Sequence, residues 1–263
     1  MANARGDVFF TDIPNSRIYV WSVDGRLSVF RERSAHANGL RFDRSGNLLA
    51  CEGAGRRVTS QAPGGTPKVV CDRCEGKRFN SPNDLWVDPH GGVYFTDPRY
   101  SGAQWIWEER SSLTNRVDDP DDAEEQDAHG LYYLASDGKT VRRCTARFTQ
   151  PNGVIGTLDG KWLYVSDTEE KKVRRFAIRA DGSLADETVF IASYSDGMTL
   201  DEFGNLYLTN GGVDIYTPEG KRIATIPVPE KTANVGFGGA DHRTLFIAAR
   251  RGIYAIRMNV RGQ

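Results

Sequence analysis

One unit, written five times, constrains this chain more than any other feature. "NGLRFDRSGNLLACE" begins at Asn38, "NDLWVDPHGGVYFTD" at Asn83, "NGVIGTLDGKWLYVSD" at Asn152, "DGMTLDEFGNLYLTN" at Asp196 and "ANVGFGGADHRTLFIAA" at Ala233. Each copy has a polar head, a short apolar strand, a turn near Asp-x-x-Gly and a second apolar strand. A third strand often follows, as in "GLYYLA", "KVRRFAI", "VDIYT" and "GIYAIR". Glycine with Asp or Asn between apolar runs is the chemistry hairpins demand. The starts are spaced by 45, 69, 44 and 37 residues. Periods near 40 with several short strands per unit indicate propeller blades. "FFTDIPNSRIYVW", residues 9–21, supplies two strands of an earlier blade and brings the count to six. A sandwich would not repeat its opening motif, and no helical period lasts ten residues. The expectation is therefore an all-β, six-bladed β-propeller, one domain over residues 1–263.

The 69-residue spacing holds an insertion at about residues 101–129, "SGAQWIWEERSSLTNRVDDPDDAEEQDAH". It is aromatic at its start and acidic toward its end. It lacks strand periodicity and reads as a long loop over one face.

Composition agrees and excludes some functions. A chain of 263 residues suits one large all-β domain, and 28 glycines suit many turns. A net charge of −1 gives no electrostatic footprint for nucleic acid. No apolar run approaches the ~18 residues of a membrane span. No charged-then-apolar leader opens the chain, which points to the cytoplasm. A periplasmic or secreted location follows instead if the N-terminus is incomplete. Oligomeric state leaves no mark in the sequence. Cys71 and Cys74 form a lone C-x-x-C, with no second pair or suitably spaced histidines to complete a zinc site. Reduced thiols or one incidental disulfide is the expectation for the four cysteines.

The heads carry the chemistry. The first strand of each propeller blade lines the central channel, so residues at one register converge from different blades. Asn38, Asn83, Asn152 and Asp196 are all oxygen donors at that register. Oxygen ligands alone suit a hard cation, Ca²⁺ or Mg²⁺, and Ca²⁺ better where amide and carboxylate oxygens gather. A single Asn or Asp before a strand is more often a turn former bonded to nearby backbone. Four at one register point to a site. Asp97, Asp167 and Asn210 end second strands, where capping of backbone is their expected role. No Gly-x-Ser-x-Gly elbow is present for a serine nucleophile.

With these stretches in hand, the chain resembles the gluconolactonase, regucalcin and luciferin-regenerating-enzyme family of six-bladed propellers. "FFTDIPNSRIYVW", "NGLRFDRSGNLLACEGAGRRV", "FNSPNDLWVDPHGGVYFTDPRY", "QPNGVIGTLDGKWLYVSD" and "DGMTLDEFGNLYLTN" carry the resemblance over most of residues 8–256. The resemblance implies a divalent-metal-dependent hydrolase of sugar lactones, with one cation at the channel mouth. Ca²⁺ is the first choice, with Zn²⁺ or Mg²⁺ as alternatives. The family's "PNG" asparagine matches Asn152 and its "DGM" aspartate matches Asp196, both metal ligands. Its "ND" asparagine matches Asn83, at the metal or touching substrate beside it. A substrate-binding arginine upstream of that motif corresponds loosely to Arg78. Asp196 is the implied catalytic residue, as a base or as the group that orients water.

One family feature has no match. The family's first blade opens with a Glu-Gly-Pro strand whose glutamate binds the metal, whereas this chain opens "MANARGDVFFTD". The expectation is a propeller lacking its N-terminal closing strand and the first inner strand of blade one, through an incomplete N-terminus. Two alternatives to sugar-lactone hydrolysis follow. One is another esterase, lactonase or phosphotriesterase activity at the same site. The other is a ligand-binding propeller without catalysis.

Overall fold

The computed structural model describes residues 1–99 and 123–263. Six antiparallel sheets succeed one another along the chain. The innermost strands of sheets two to six are Ala37–Phe42, Leu85–Val87, Pro151–Gly156, Met198–Leu200 and Thr232–Gly238, whereas sheet one begins at Val8–Asp12, the counterpart of a second strand. Sheets two to five have four strands each, and sheets one and six have three. Met1 and Ala2 lie on the inner side of sheet one. Met1 O accepts from Phe9 N at 2.7 Å, and Ala2 bridges to Val8. Gly239 N donates to Gly6 O at 2.9 Å, which joins sheet six to sheet one and closes the ring. No helix is present among the described residues, and none there is long and apolar enough to cross a membrane. The chain is a six-bladed β-propeller.

The second strands show why the apolar runs are continuous rather than alternating. Val93–Asp97 and Leu206–Thr209 are buried at every position. Each lies between two strands of its own sheet and is covered on both faces by neighbouring sheets. Packing between sheets uses aromatics set against small residues. Phe9 and Phe42 meet edge to face at 5.0 Å between sheets one and two. Trp86 fills the space above Gly156 of sheet four, where any Cβ would overlap the indole.

The turns use the Asp-x-x-Gly chemistry in full. Asp43 Oδ1 accepts Ser45 N and Asn47 N at 2.9 and 2.8 Å. Asp88 and Asp201 repeat the arrangement with His90 and Gly92, and with Phe203 and Asn205. The glycine of each turn has a positive φ, +79° at Gly46 and +77° at Gly204, which other residues adopt only with strain.

Of the expected insertion at 101–129, only residues 123–129 are described. Its two anchors, Asp97 and Gly130, pair directly with each other. The returning limb is tied to a small hairpin, Arg73–Cys74 with Lys77–Arg78. Glu125 Oε2 accepts Arg78 N at 2.8 Å, and Gln126 donates to the carbonyls of Lys77 and Arg78. The C-x-x-C spans the start of this hairpin. All four cysteines are free, and burial pushes the Cys71 and Cys144 thiols up to about 12. Reduced thiols, not a disulfide, is the outcome.

Candidate active site at the channel mouth

The heads of sheets two to six are brought together by hydrogen bonds that pass from each blade to the next. Gly39 N donates to Asn83 O at 2.7 Å, and Thr96 Oγ1 donates to Asn152 O at 2.7 Å. Ser166 Oγ donates to Ser195 O at 2.6 Å, and Gly197 N donates to Ala233 O at 2.7 Å. Sequence separation in these bonds is large, so each blade fixes its neighbour's head.

Glycine after the head makes this approach possible. A Cβ on Gly39 would stand 2.5 Å from Asp84 Oδ1. One on Gly153 would overlap the Asp196 carbonyl, and one on Gly197 would overlap the Asn234 amide. Asn-Gly, Asn-Gly and Asp-Gly thus pair a polar head with a bare backbone that admits the next head.

Asp196 and Asn152 meet directly. The Asn152 amide donates to the Asp196 carboxylate, across the boundary between sheets four and five. Burial pushes the Asp196 carboxyl up to about 7; Lys231 and Asn152 oppose this, and the nearby charge of Asp84 adds to it. The residue keeps partial solvent access although protein surrounds it, as expected for a side chain facing the channel. Asn83 is buried, with its N–H held by Thr96 O at 2.9 Å. Asn38 stands at the same register in sheet two and is half-buried.

Two residues absent from the sequence-derived set belong here. Asp84 is buried, and its Oδ2 accepts Val154 N at 3.2 Å while its Oδ1 accepts Leu85 N at 2.9 Å. Burial pushes its carboxyl up, opposed by the Arg41 guanidinium and by those two N–H groups. Arg41 projects from the inner strand of sheet two, with Nε 3.5 Å from Leu85 O. Asp196 is therefore not the sole carboxylate near the axis. A signal was present: Asp84 occupies the position that glycine takes after the other Asn and Asp heads. An odd carboxylate at a glycine position needs compensation, which the Leu85 and Val154 N–H groups and the nearby positive charge of Arg41 supply.

Arg78 lies just before the Asn83 head in the chain. It sits on the 73–78 hairpin, bonded through its backbone to Glu125 and Gln126. Of the second-strand ends, Asp97 and Asp167 cap backbone as expected, whereas the Asn210 amide bonds side chains instead. Asp97 accepts Asn80 N and Ser81 N at 2.8 and 2.7 Å. Asp167 accepts Thr149 N at 2.7 Å and Glu170 N at 2.9 Å. Asn210 donates to Ser193 and Asp214.

Could the heads hold a cation? The donors are oxygens of one carboxylate and two amides, with a second carboxylate beside them. Asp196 is a carboxyl whose ionised form is disfavoured by burial and by a like charge, which a cation would relieve. Among the described residues no cluster of three His, Cys, Asp or Glu side chains exists, so amides must contribute. The donor set fits a hard cation.

Fold and heads together define a six-bladed propeller with a polar, oxygen-lined site at one mouth of its channel. The chain belongs to the SMP-30/Gluconolactonase/LRE-like family, whose model matches residues 1–251. It is 28% identical to a gluconolactonase of Zymomonas mobilis, over 97% of this chain and 76% of that protein. It is 28% identical to the pentonolactonase XacC of Haloferax volcanii, over 93% of this chain and 78% of that one. A solved gluconolactonase from Xanthomonas campestris superposes with a TM-score of 0.83 at 28% identity, covering 99% and 83% of the two chains. A calcium-binding regucalcin from Agrobacterium tumefaciens, at 20% identity and a TM-score of 0.75 over 99% and 88%, shares the fold.

Proposed function

We propose that this chain hydrolyses a sugar lactone at the head ring, with a divalent cation, Ca²⁺ first, held by Asp196, Asn152 and Asn83. The observation that carries this reading is the hydrogen bond of the Asn152 side chain to Asp196 across two blades, with Thr96 joining the Asn83 and Asn152 backbones. Membership of a family with named gluconolactonases and a pentonolactonase supports the substrate class.

A cation bound there would supply Lewis acidity toward the lactone carbonyl and stabilise the oxyanion formed on it. The chain's own residues do the rest. Asn152 donates to the Asp196 carboxylate and fixes its orientation. Asp196, open to the channel, accepts a hydrogen bond from the attacking water and aims it at the carbonyl carbon. Water adds there, the ring C–O bond breaks, and the departing ring oxygen takes a proton, giving a hydroxy acid that ionises. A carboxylate beside a dication is a poor proton acceptor, so orientation of water is the role assigned to Asp196 over base catalysis. Both Asp84 oxygens already accept backbone N–H groups, from Leu85 and Val154, so Asp196 is the carboxylate assigned to the ligand.

The test is hydrolysis of glucono-δ-lactone in a pH-stat with Ca²⁺, Mg²⁺ or Zn²⁺, and after EDTA. Wild type should exceed the spontaneous rate only with metal. Asp196→Ala should lower kcat/KM at least ~100-fold, the scale of losing a transition-state contact. Undiminished activity in EDTA would remove the cation from the reading. No hydrolysis with any metal would favour another ester or phosphotriester substrate, or a binding propeller.

A further inference from the structure

A second group of charged residues stands on the same rim, and apart from Lys231, whose charge acts on Asp196, it has no part in the mechanism above. Glu230, Lys231, Arg250 and Arg251 line an open cavity of ≈ 640 Å³ on sheet six. Its place relative to the heads follows from register. Thr232 pairs with Ala249, so Lys231 and Arg250 flank each other just beyond the paired strands. Ala249 N donates to Gly252 O at 2.9 Å, closing the turn that presents Arg250 and Arg251. Ala233, two residues after Lys231, accepts the Gly197 N–H at 2.7 Å, and Gly197 directly follows Asp196. The cavity and the head ring therefore share one mouth.

Its charge is one-sided. Lys231, Arg250 and Arg251 are exposed, and Glu230 is the one carboxylate among the four. That carboxylate is already engaged: Oε2 accepts Arg251 N at 2.8 Å and Oε1 accepts Tyr254 OH at 2.9 Å. The Arg251 guanidinium makes no ion pair among the described residues. A net charge of −1 for the whole chain makes this concentration local rather than general. Arginine forks match the oxygens of phosphate and carboxylate in pairs.

We propose that this cavity binds an anionic substituent, a phosphate or a carboxylate, carried by the lactone at the end away from its ring carbonyl. This rests on the lactone reading and narrows it: the preferred substrates are anionic sugar lactones rather than neutral ones. The carbonyl lies at Asp196 while the anion sits against Arg251 and its neighbours. Ring opening then adds one negative charge to that of the substituent, and the new carboxylate forms at the head ring.

The experiment compares glucono-δ-lactone, its 6-phosphate and a glucarolactone as substrates, with divalent cation present. At least one anionic lactone should show kcat/KM about tenfold above the neutral one. The ratio should fall toward one in about 0.5 M salt and in Arg251→Glu, with Arg251→Gln read the same way should the reversal fail to fold. Preference for the phosphate or for the carboxylate identifies the anion. Equal kcat/KM for all three overturns the proposal and leaves the lactone reading standing. If none is hydrolysed, the lactone reading fails, and thermal shifts with 6-phosphogluconate and glucarate are compared with gluconate. Larger shifts for 6-phosphogluconate or glucarate than for gluconate, lost in Arg251→Glu, keep the anion site; equal shifts overturn it.

Discussion

At one end of the inner strands, Asp43, Asp88 and Asp201 close the turns to the second strands; at the other, Asp84 and Asp196 stand among the heads. The residue type is the same and the partners differ. The Asp201 carboxylate is saturated within six residues, by Phe203 N, Asn205 N, the Asn205 amide and Tyr207 OH. Asp84 reaches Val154 N, 70 positions away, and Asp196 receives the Asn152 amide from the neighbouring blade. A carboxylate satisfied by its own turn contributes to folding. One buried among other blades and left open to the channel can serve a ligand. The repeat supplies both kinds, and only their partners tell them apart.

The strongest way to break this division is to fill the gap between blades at the head end. Gly153→Ala places a methyl on the Asp196 carbonyl, so sheets four and five must separate. We expect kcat/KM to fall at least ~100-fold, since small displacements of a reacting geometry cost about that much. Stability should fall by about 2 kcal/mol in urea unfolding. Activity near wild type would show that the Asn152–Asp196 contact is not needed.

The turn end should respond in the opposite sense. Asp201→Ala leaves two backbone N–H groups and the Tyr207 hydroxyl without their acceptor, at a cost of about 2–3 kcal/mol in urea unfolding. Lactone hydrolysis by the folded variant should stay within about twofold of wild type, since its partners are local. A loss of activity as deep as that of Asp196→Ala would erase the distinction between the two ends.

A smaller effect concerns pH. Burial raises the Asp97 carboxyl from 3.8 to about 7, against the opposing pull of the Asn80 and Ser81 N–H groups. The folded state thus favours the neutral acid. The stability this group contributes is full below about pH 4 and is lost as pH rises through 7. The Tm of wild type relative to Asp97→Asn should therefore fall between pH 4 and pH 8. A constant difference across that range would show that Asp97 keeps an ordinary carboxylate's affinity for protons.

Legibility followed burial. The inner and second strands were readable because neighbouring sheets cover them, and burial writes a continuous apolar run such as "VYFTD" or "LYLT". The outermost strands Leu27–Glu32, Lys68–Cys71, Leu184–Ile191 and Arg222–Ile226 went unread. They are half in water, and residues such as Asp186, Glu187 and Arg222 carry no period that marks a strand. The site divided in the same way. Asn83, Asn152 and Asp196 declared themselves by repetition. Asp84 and Arg41 did not, because each occurs once and its meaning lies in a partner on another blade.

The sequence by itself determined the number of blades, the identity of the inner strands of blades two to six and the register of their heads. Those follow from local rules, apolar runs and turn chemistry, which the repeat states several times over. Only the tertiary structure decided which polar groups are spent on backbone and which remain for a ligand. That choice depends on contacts between residues tens of positions apart, such as Asn152 with Asp196, Asp84 with Val154, and Gly197 with Ala233 below the cationic rim. Spacing along the chain cannot encode such contacts until the ring has closed.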